Sequence, residues 1–190
     1  MREKIANIIE NSYKIKEELI KKKLAEIIRA AKLLTRCLKR GNKAILFGNG
    51  GSAADCQHIA TELVCRFYHD RRPLPAISLT TNTSLLTAIS NDYAFSKSFS
   101  RQLEAIGQKG DVAVGISTSG NSKNVIEAIK VAKAKGLNTI ALTGKDGGRL
   151  AKLAQLSIRV PSDDTPRIQE AHILIGHLIC QLIEESILRE

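Results

Sequence analysis

Residues 43–67, KAILFGNGGSAADCQHIATELVCRF, narrow most sharply what this chain can fold into. Ile45, Leu46 and Phe47 form a short apolar run bounded by Gly41-Asn42 before and Gly48-Asn49-Gly50-Gly51 after, the pattern of a buried parallel strand. The glycines allow positive φ and let backbone N–H groups approach a ligand, and Ser52 is placed to cap a helix that starts next. A polar ligand is thus expected at the strand's C-terminal end. Along the helix Ile59, Leu63, Val64 and Phe67 are apolar, while His58 and Glu62 project from one face about one turn apart. An imidazole and a carboxylate so spaced suit zinc or another divalent ion, and equally a solvated His–Glu hydrogen bond. Two ligands are too few for a metal site, so the others must come from elsewhere in the chain.

The same strand, turn and helix order recurs. Residues 76–79, 111–116, 138–142 and 156–160 read as further strands, and 84–90, 95–106, 123–135, 149–153 and 167–189 as helices. Alternation of this kind predicts an α/β fold, a parallel sheet of about five strands with helices on both faces and ligands at the strands' C-terminal ends. Residues 1–190 read as one domain: a helical arm at 1–40 and an α/β core at 41–190 with a long C-terminal helix. The arm has no Gly or Pro, and its Ile and Leu recur at three- and four-residue steps, with Asn11-Ser12 the expected break. It carries more apolar surface than one sheet face needs, so helix packing between subunits is expected.

A second chemical signal lies between the strand at 111–116 and the helix at 123–135. Ser117, Thr118, Ser119 and Ser122 bring more hydroxyls to one helix N-terminus than capping requires, as in a neutral anion cradle helped by the helix dipole. Turn geometry is the plainer use of such serines. The loop at 66–75 is structural or, through Arg66, Arg71 and Arg72, attractive to a phosphorylated ligand. TGKDGG at 143–148 lacks the spacing of a Walker loop and reads as a turn.

Net charge is +10, of which residues 1–40 supply 12 Lys+Arg − 5 Asp+Glu = +7. No aromatic is interleaved with Lys21-Lys22-Lys23, so a solvated helical face is expected rather than a nucleic-acid surface. Cys37, Cys56, Cys65 and Cys180 follow no zinc or disulfide spacing and are expected to be reduced. The sequence reads as having neither a membrane span nor a secretory signal, so a cytoplasmic protein is expected.

GNGGSAADCQHIATEL, ISTSGNS, ALTGKDGG and RIQEAHILIGH together resemble the bacterial phosphoheptose isomerase branch of the sugar isomerase (SIS) family, over nearly the whole chain. STSGNS alone marks only a general sugar-phosphate domain; the four segments together are specific. The resemblance implies a homotetramer with active sites between subunits and one zinc ion per site. It implies conversion of sedoheptulose 7-phosphate, a phosphorylated seven-carbon sugar, to D-glycero-D-manno-heptose 7-phosphate, the first step toward the heptose of lipopolysaccharide or other surface glycans. Position by position it implies that His58, Glu62, Gln169 and His177 surround the zinc and that Glu62 and His177 move the protons. Ser117, Thr118, Ser119 and Ser122 would hold the phosphate, and Asn49, Gly50, Gly51, Asn91 and Asp92 would contact the sugar together with Glu62 and Gln169, with Ser52 nearby. Two features depart from the pattern. No histidine follows the glycine turn, and DDTP precedes Arg167 where other members have an aspartate, leaving Asp163 or Asp164 as its counterpart.

Helical geometry raises a question about this set. Gln169 and His177 are separated by a rise of about 12 Å and an angle of about 80°, so one ion is reached by both only through leaning side chains or from different subunits. His172, about 140° around from His177, reads as a packed histidine, and His69 as an exposed one. Two other readings use the same fold: a tetrameric SIS-fold regulator that binds the bacterial replication initiator, which needs no metal ligands, and an isomerase or sensor of another sugar phosphate. A nucleic-acid binder ranks last.

Overall fold

The computed structural model describes residues 1–189. Strands β1 (Ala44–Gly48), β2 (Ala76–Ser78), β3 (Val112–Ser117), β4 (Asn138–Gly144) and β5 (Leu156–Val160) form one sheet in the order β2-β1-β3-β4-β5. Every pairing is parallel, with Ile45 opposite Ala113 and Ser117 opposite Thr143. Helices α1 (Arg2–Lys22) and α2 (Leu24–Lys39) precede the sheet, and α3 (Gly51–Val64) links β1 to β2. Next come α4 (Thr83–Asp92) and α5 (Ser100–Ile106), which lead into β3. The rest alternate with the strands: α6 (Lys123–Ala134), α7 (Gly148–Leu153) and the terminal α8 (Thr165–Leu188).

Side chains of β1 alternate between the two faces, and each face has its own apolar layer. Leu46, Val114, Ile116, Leu142 and Ile158 pack with α2, α3 and α8, while Ile45, Phe47, Ala113 and Ala141 pack with α5, α6 and α7. At the opposite end of the sheet from the site, buried Asp111 joins β1 to β3. It accepts from Lys43 Nζ at 2.7 Å and from the backbone N–H groups of Lys43 and Gln108. The chain leaves β1 toward β2 on one side and later fills β3 on the other. The crevice between the carboxyl ends of β1 and β3 is therefore the switch point at which open α/β sheets take ligands.

The helical lead has two fates. α2 is part of the core, burying Ile27, Ala30, Ala31, Leu34 and Leu38, whereas α1 buries only Leu19. The break falls at Lys23, not at Asn11-Ser12: Ser12 donates its hydroxyl to Glu170 at 2.7 Å and so does not compete for the helix backbone. The expected helix at 95–106 is divided into a single 3₁₀ turn, Phe95–Lys97, and α5. By length and mean hydropathy α8 qualifies as a helix able to cross a membrane. Here it lies along the sheet with Ile168, Ala171, Ile175, Ile179 and Ile183 buried.

Candidate active site

The first glycine turn re-aims the chain from β1 into α3. Gly50 takes φ +57°, a left-handed conformation that an L side chain would strain, and α3 begins at the next residue. Ser52 is therefore inside the helix, buried, and does not cap it. Gly51 lies directly under the side-chain amide of Gln169 on α8, which would have to move aside for a Cβ there. Asn49 is held by a reciprocal pair of amide hydrogen bonds with Asn124, each 2.9 Å. Asn124 is buried in the first turn of α6, so this pair bridges the switch point and couples the two turns. Sequence reasoning did not single out Asn124, whose partner lies 75 residues away.

Two helices converge on the chemistry. His58 Nε2 lies 3.1 Å from Glu62 Oε1, the approach set by their spacing on α3, and 3.1 Å from His177 Nε2 on α8. Donor atoms of these three residues all lie within 4.8 Å of one another, the one such group of His, Cys, Asp or Glu found among the described residues. The Phe67 ring packs 5.7 Å from the His177 ring and closes one side of the cluster. One turn before His58, Asp55 is half-buried with Oδ2 unpartnered, and burial pushes its carboxyl up to about 6 while His58 pulls the other way.

The second turn is built as its composition suggests. Ser117 Oγ is 3.0 Å from Ser122 Oγ and 3.5 Å from Ser119 Oγ, so three hydroxyls face one another ahead of α6. Ser122 occupies the N-cap position without capping through its side chain, which leaves its hydroxyl on the loop side. Thr118 anchors the loop from behind, its carbonyl accepting from Gly144 at 3.0 Å. Beneath, at the end of β4, His172 is fully buried with neither ring nitrogen in hydrogen-bond geometry, beside a Thr143 hydroxyl that is also unpartnered. Burial pushes the imidazole down to about 4; the nearby Thr143 backbone only partly opposes this.

Not all of the expected residues meet in one chain. Gln169 lies over Gly51, two turns of α3 before His58, so it is about 10 Å along the helix from the histidine cluster. Asn91 and Asp92 are exposed at the end of α4 and bond to each other at 2.9 Å. Asp92 lines a separate cavity of about 530 Å³ between β2, α4 and α5. In the arginine loop, Arg71 is not available to a ligand, because it is buried against Glu184 and backbone carbonyls. His69 is exposed and His172 packed, as their positions suggest.

Comparison with known proteins identifies the family. The profile of the SIS domain family matches residues 8–144. The phosphoheptose isomerase of Aquifex aeolicus is 52% identical over 98% of this chain and 98% of its own, and that of Sulfurimonas denitrificans 53% identical over 98% and 97%. The solved structure of the phosphoheptose isomerase from Neisseria gonorrhoeae superposes with a TM-score of 0.92 at 45% identity, covering 97% of this chain and 98% of that one. The glycine and hydroxyl turns share the carboxyl edge of the sheet, the His58–Glu62–His177 cluster lies farther along α3 and α8, and the chain belongs to the SIS domain family, in its phosphoheptose isomerase branch.

Proposed function

We propose that this chain interconverts sedoheptulose 7-phosphate and D-glycero-D-manno-heptose 7-phosphate. The observation that carries the proposal is the meeting of His58, Glu62 and His177 in a chain that also builds an anion cradle after β3 and is about half identical over its whole length to phosphoheptose isomerases. Moving the carbonyl from C2 to C1 requires a proton to leave C1, an enediol to form, and a proton to arrive at C2 while O1 gives up its own. In this reading the Glu62 carboxylate takes the proton from C1 and returns it at C2, and the His177 imidazole moves the proton between O1 and O2. Hydroxyls of Ser117, Ser119 and Ser122, with Thr118, hold the phosphate at the N-terminus of α6, where the helix dipole favours negative charge.

The donor set fits zinc. Two imidazoles and one carboxylate match the kind and number of protein ligands found in catalytic zinc sites. When bound, the ion would supply Lewis-acid stabilisation of the negative charge that develops on the sugar oxygens. His58 would be its remaining donor, its Nε2 lying 3.1 Å from both Glu62 Oε1 and His177 Nε2. Assembly belongs to the same proposal. Ile5, Ile8, Ile9, Tyr13 and Ile20 of α1 are exposed, and Gln169, Asn91 and Asp92 stand apart from the cluster in a single chain. A homotetramer that covers α1 and completes the site answers both features, and a monomeric variant with full turnover would overturn it.

The test is to incubate the protein with sedoheptulose 7-phosphate in D₂O, with and without zinc, and follow the sugar by proton NMR. A zinc-dependent heptose 7-phosphate signal is expected, and its deuterium content reports exchange at Glu62. No turnover by zinc-loaded protein would overturn the reading in favour of another sugar phosphate.

A further inference from the structure

Glu184 is among the most deeply buried charges of the molecule and takes no part in the chemistry above. Its side chain is 1% exposed and that of its partner Arg71 3%. Oε1 accepts from the Phe67 N–H at 2.9 Å and from Arg71 Nε at 3.2 Å, while Oε2 accepts from the N–H groups of Tyr68 and His69 at 2.7 and 3.0 Å. Arg71 spends its remaining donors on backbone carbonyls: Nη2 on Glu62 at 2.8 Å, and Nη1 on Leu63 at 2.9 Å and Arg72 at 3.1 Å. Burial by itself would raise the Glu184 carboxyl; the three N–H groups and Arg71 outweigh it and hold the group below its ordinary value.

The importance of this pair lies in what it joins. Glu62 and Leu63 are at the C-terminal end of α3, where carbonyls lack helical partners, and Arg71 satisfies two of them. Glu184 is two turns beyond His177, about 10 Å along α8 and on nearly the same face. One buried ion pair thus ties the end of the helix that carries His58 and Glu62 to the helix that carries His177. It also fixes the start of the loop whose Phe67 ring rests on His177. Close apolar contact, as between Gly176 and Ile59, sets the separation of the helices along their middle, and a carboxylate filled by four N–H donors fixes it at the end of α3.

We infer that Arg71 and Glu184 form a positioning clamp that holds α3 and α8 at the spacing required for His58, Glu62 and His177 to act on one ion and one substrate. The metal-affinity part of this claim rests on the proposed zinc site; the spacing part does not. Removing groups that orient metal ligands costs about 10- to 100-fold in metal affinity, and an effect of that size is expected here.

The experiment compares wild type, Glu184→Gln, Arg71→Lys and, as a stability control, the α8 core variant Ile175→Val. In metal-free protein, ring-proton NOEs between His58 and His177 read the spacing directly. Zinc affinity is measured by competition with a chromogenic chelator. The clamp predicts that Glu184→Gln weakens the NOE several-fold and raises the zinc Kd by about 10- to 100-fold. Arg71→Lys, which keeps the charge but not the planar fork, should fall between. Ile175→Val should lower Tm and move neither readout. An unchanged NOE in Glu184→Gln, or in Arg71→Lys should the former not fold, overturns the inference, as does an affinity loss that merely follows Tm across all variants. Wild type that binds no zinc removes the metal reading, and the NOE comparison still decides the clamp.

Discussion

The two halves of the site are made in different ways. The cradle is a loop: Ser117, Ser119 and Ser122 meet because six consecutive residues turn from β3 into α6. The acid–base cluster is built by helices: His58 and Glu62 come together on α3, but His177 arrives from α8 across 119 residues of sequence. A local device can be read, and altered, one residue at a time. A device spread over two helices depends on everything that sets their separation, including Gly176, where a Cβ would press on Ile59.

The largest effect should come from the helix-borne half. Glu62→Gln removes the proposed base and a zinc donor, and turnover at saturating zinc should fall by about 10²- to 10⁴-fold; full turnover would break the division of labour. Next is the acid limb of stability. His172 titrates near 4 when folded and at its ordinary 6.5 when unfolded, so its contribution is complete above 6.5 and is lost as pH falls toward 4. That contribution is about 3 kcal/mol, and His172→Leu should flatten the fall of Tm between those pH values. The loop-borne half should answer differently. Ser122→Ala is expected to cost about 2 kcal/mol of phosphate binding, a KM rise of about 30-fold with kcat retained; a fall in kcat alone would show that the cradle is not a binding device. The smallest effect should be the coupling between the turns. A double-mutant cycle of Asn49→Ala and Asn124→Ala should return about 1 kcal/mol, and zero coupling would mean that the halves are independent.

This contrast also explains what the sequence could reveal. The alternation of strands and helices, the glycine turn, the hydroxyl turn and the His58–Glu62 spacing are local patterns of period two, period 3.6 or turn chemistry, and each was legible. The approach of His177 to His58 was not readable from spacing; only the family likeness pointed to it. The basic loop around Arg71 read as either structural or attractive to phosphate, and nothing nearby shows that Glu184, 113 residues away, decides for the structural role. Ser52 looked like a cap because it follows a glycine turn, yet α3 starts one residue earlier and buries it. Asn11-Ser12 looked like a helix break until Ser12 proved to bond Glu170 on α8.

Leu19 is the only buried residue of α1, and among the bonds that hold the helix to α8 are those from Arg167 to the Ile8 carbonyl and from Ser12 to Glu170. A segment so lightly anchored opens far more easily than the core unfolds. Lys14, Lys16, Lys21 and Lys22 lie along it, each a point of attack for trypsin. If neighbouring copies cover this helix, the rate of nicking becomes a gauge of assembly: by mass action it should slow as protein concentration rises, while cleavage within the sheet stays slow throughout.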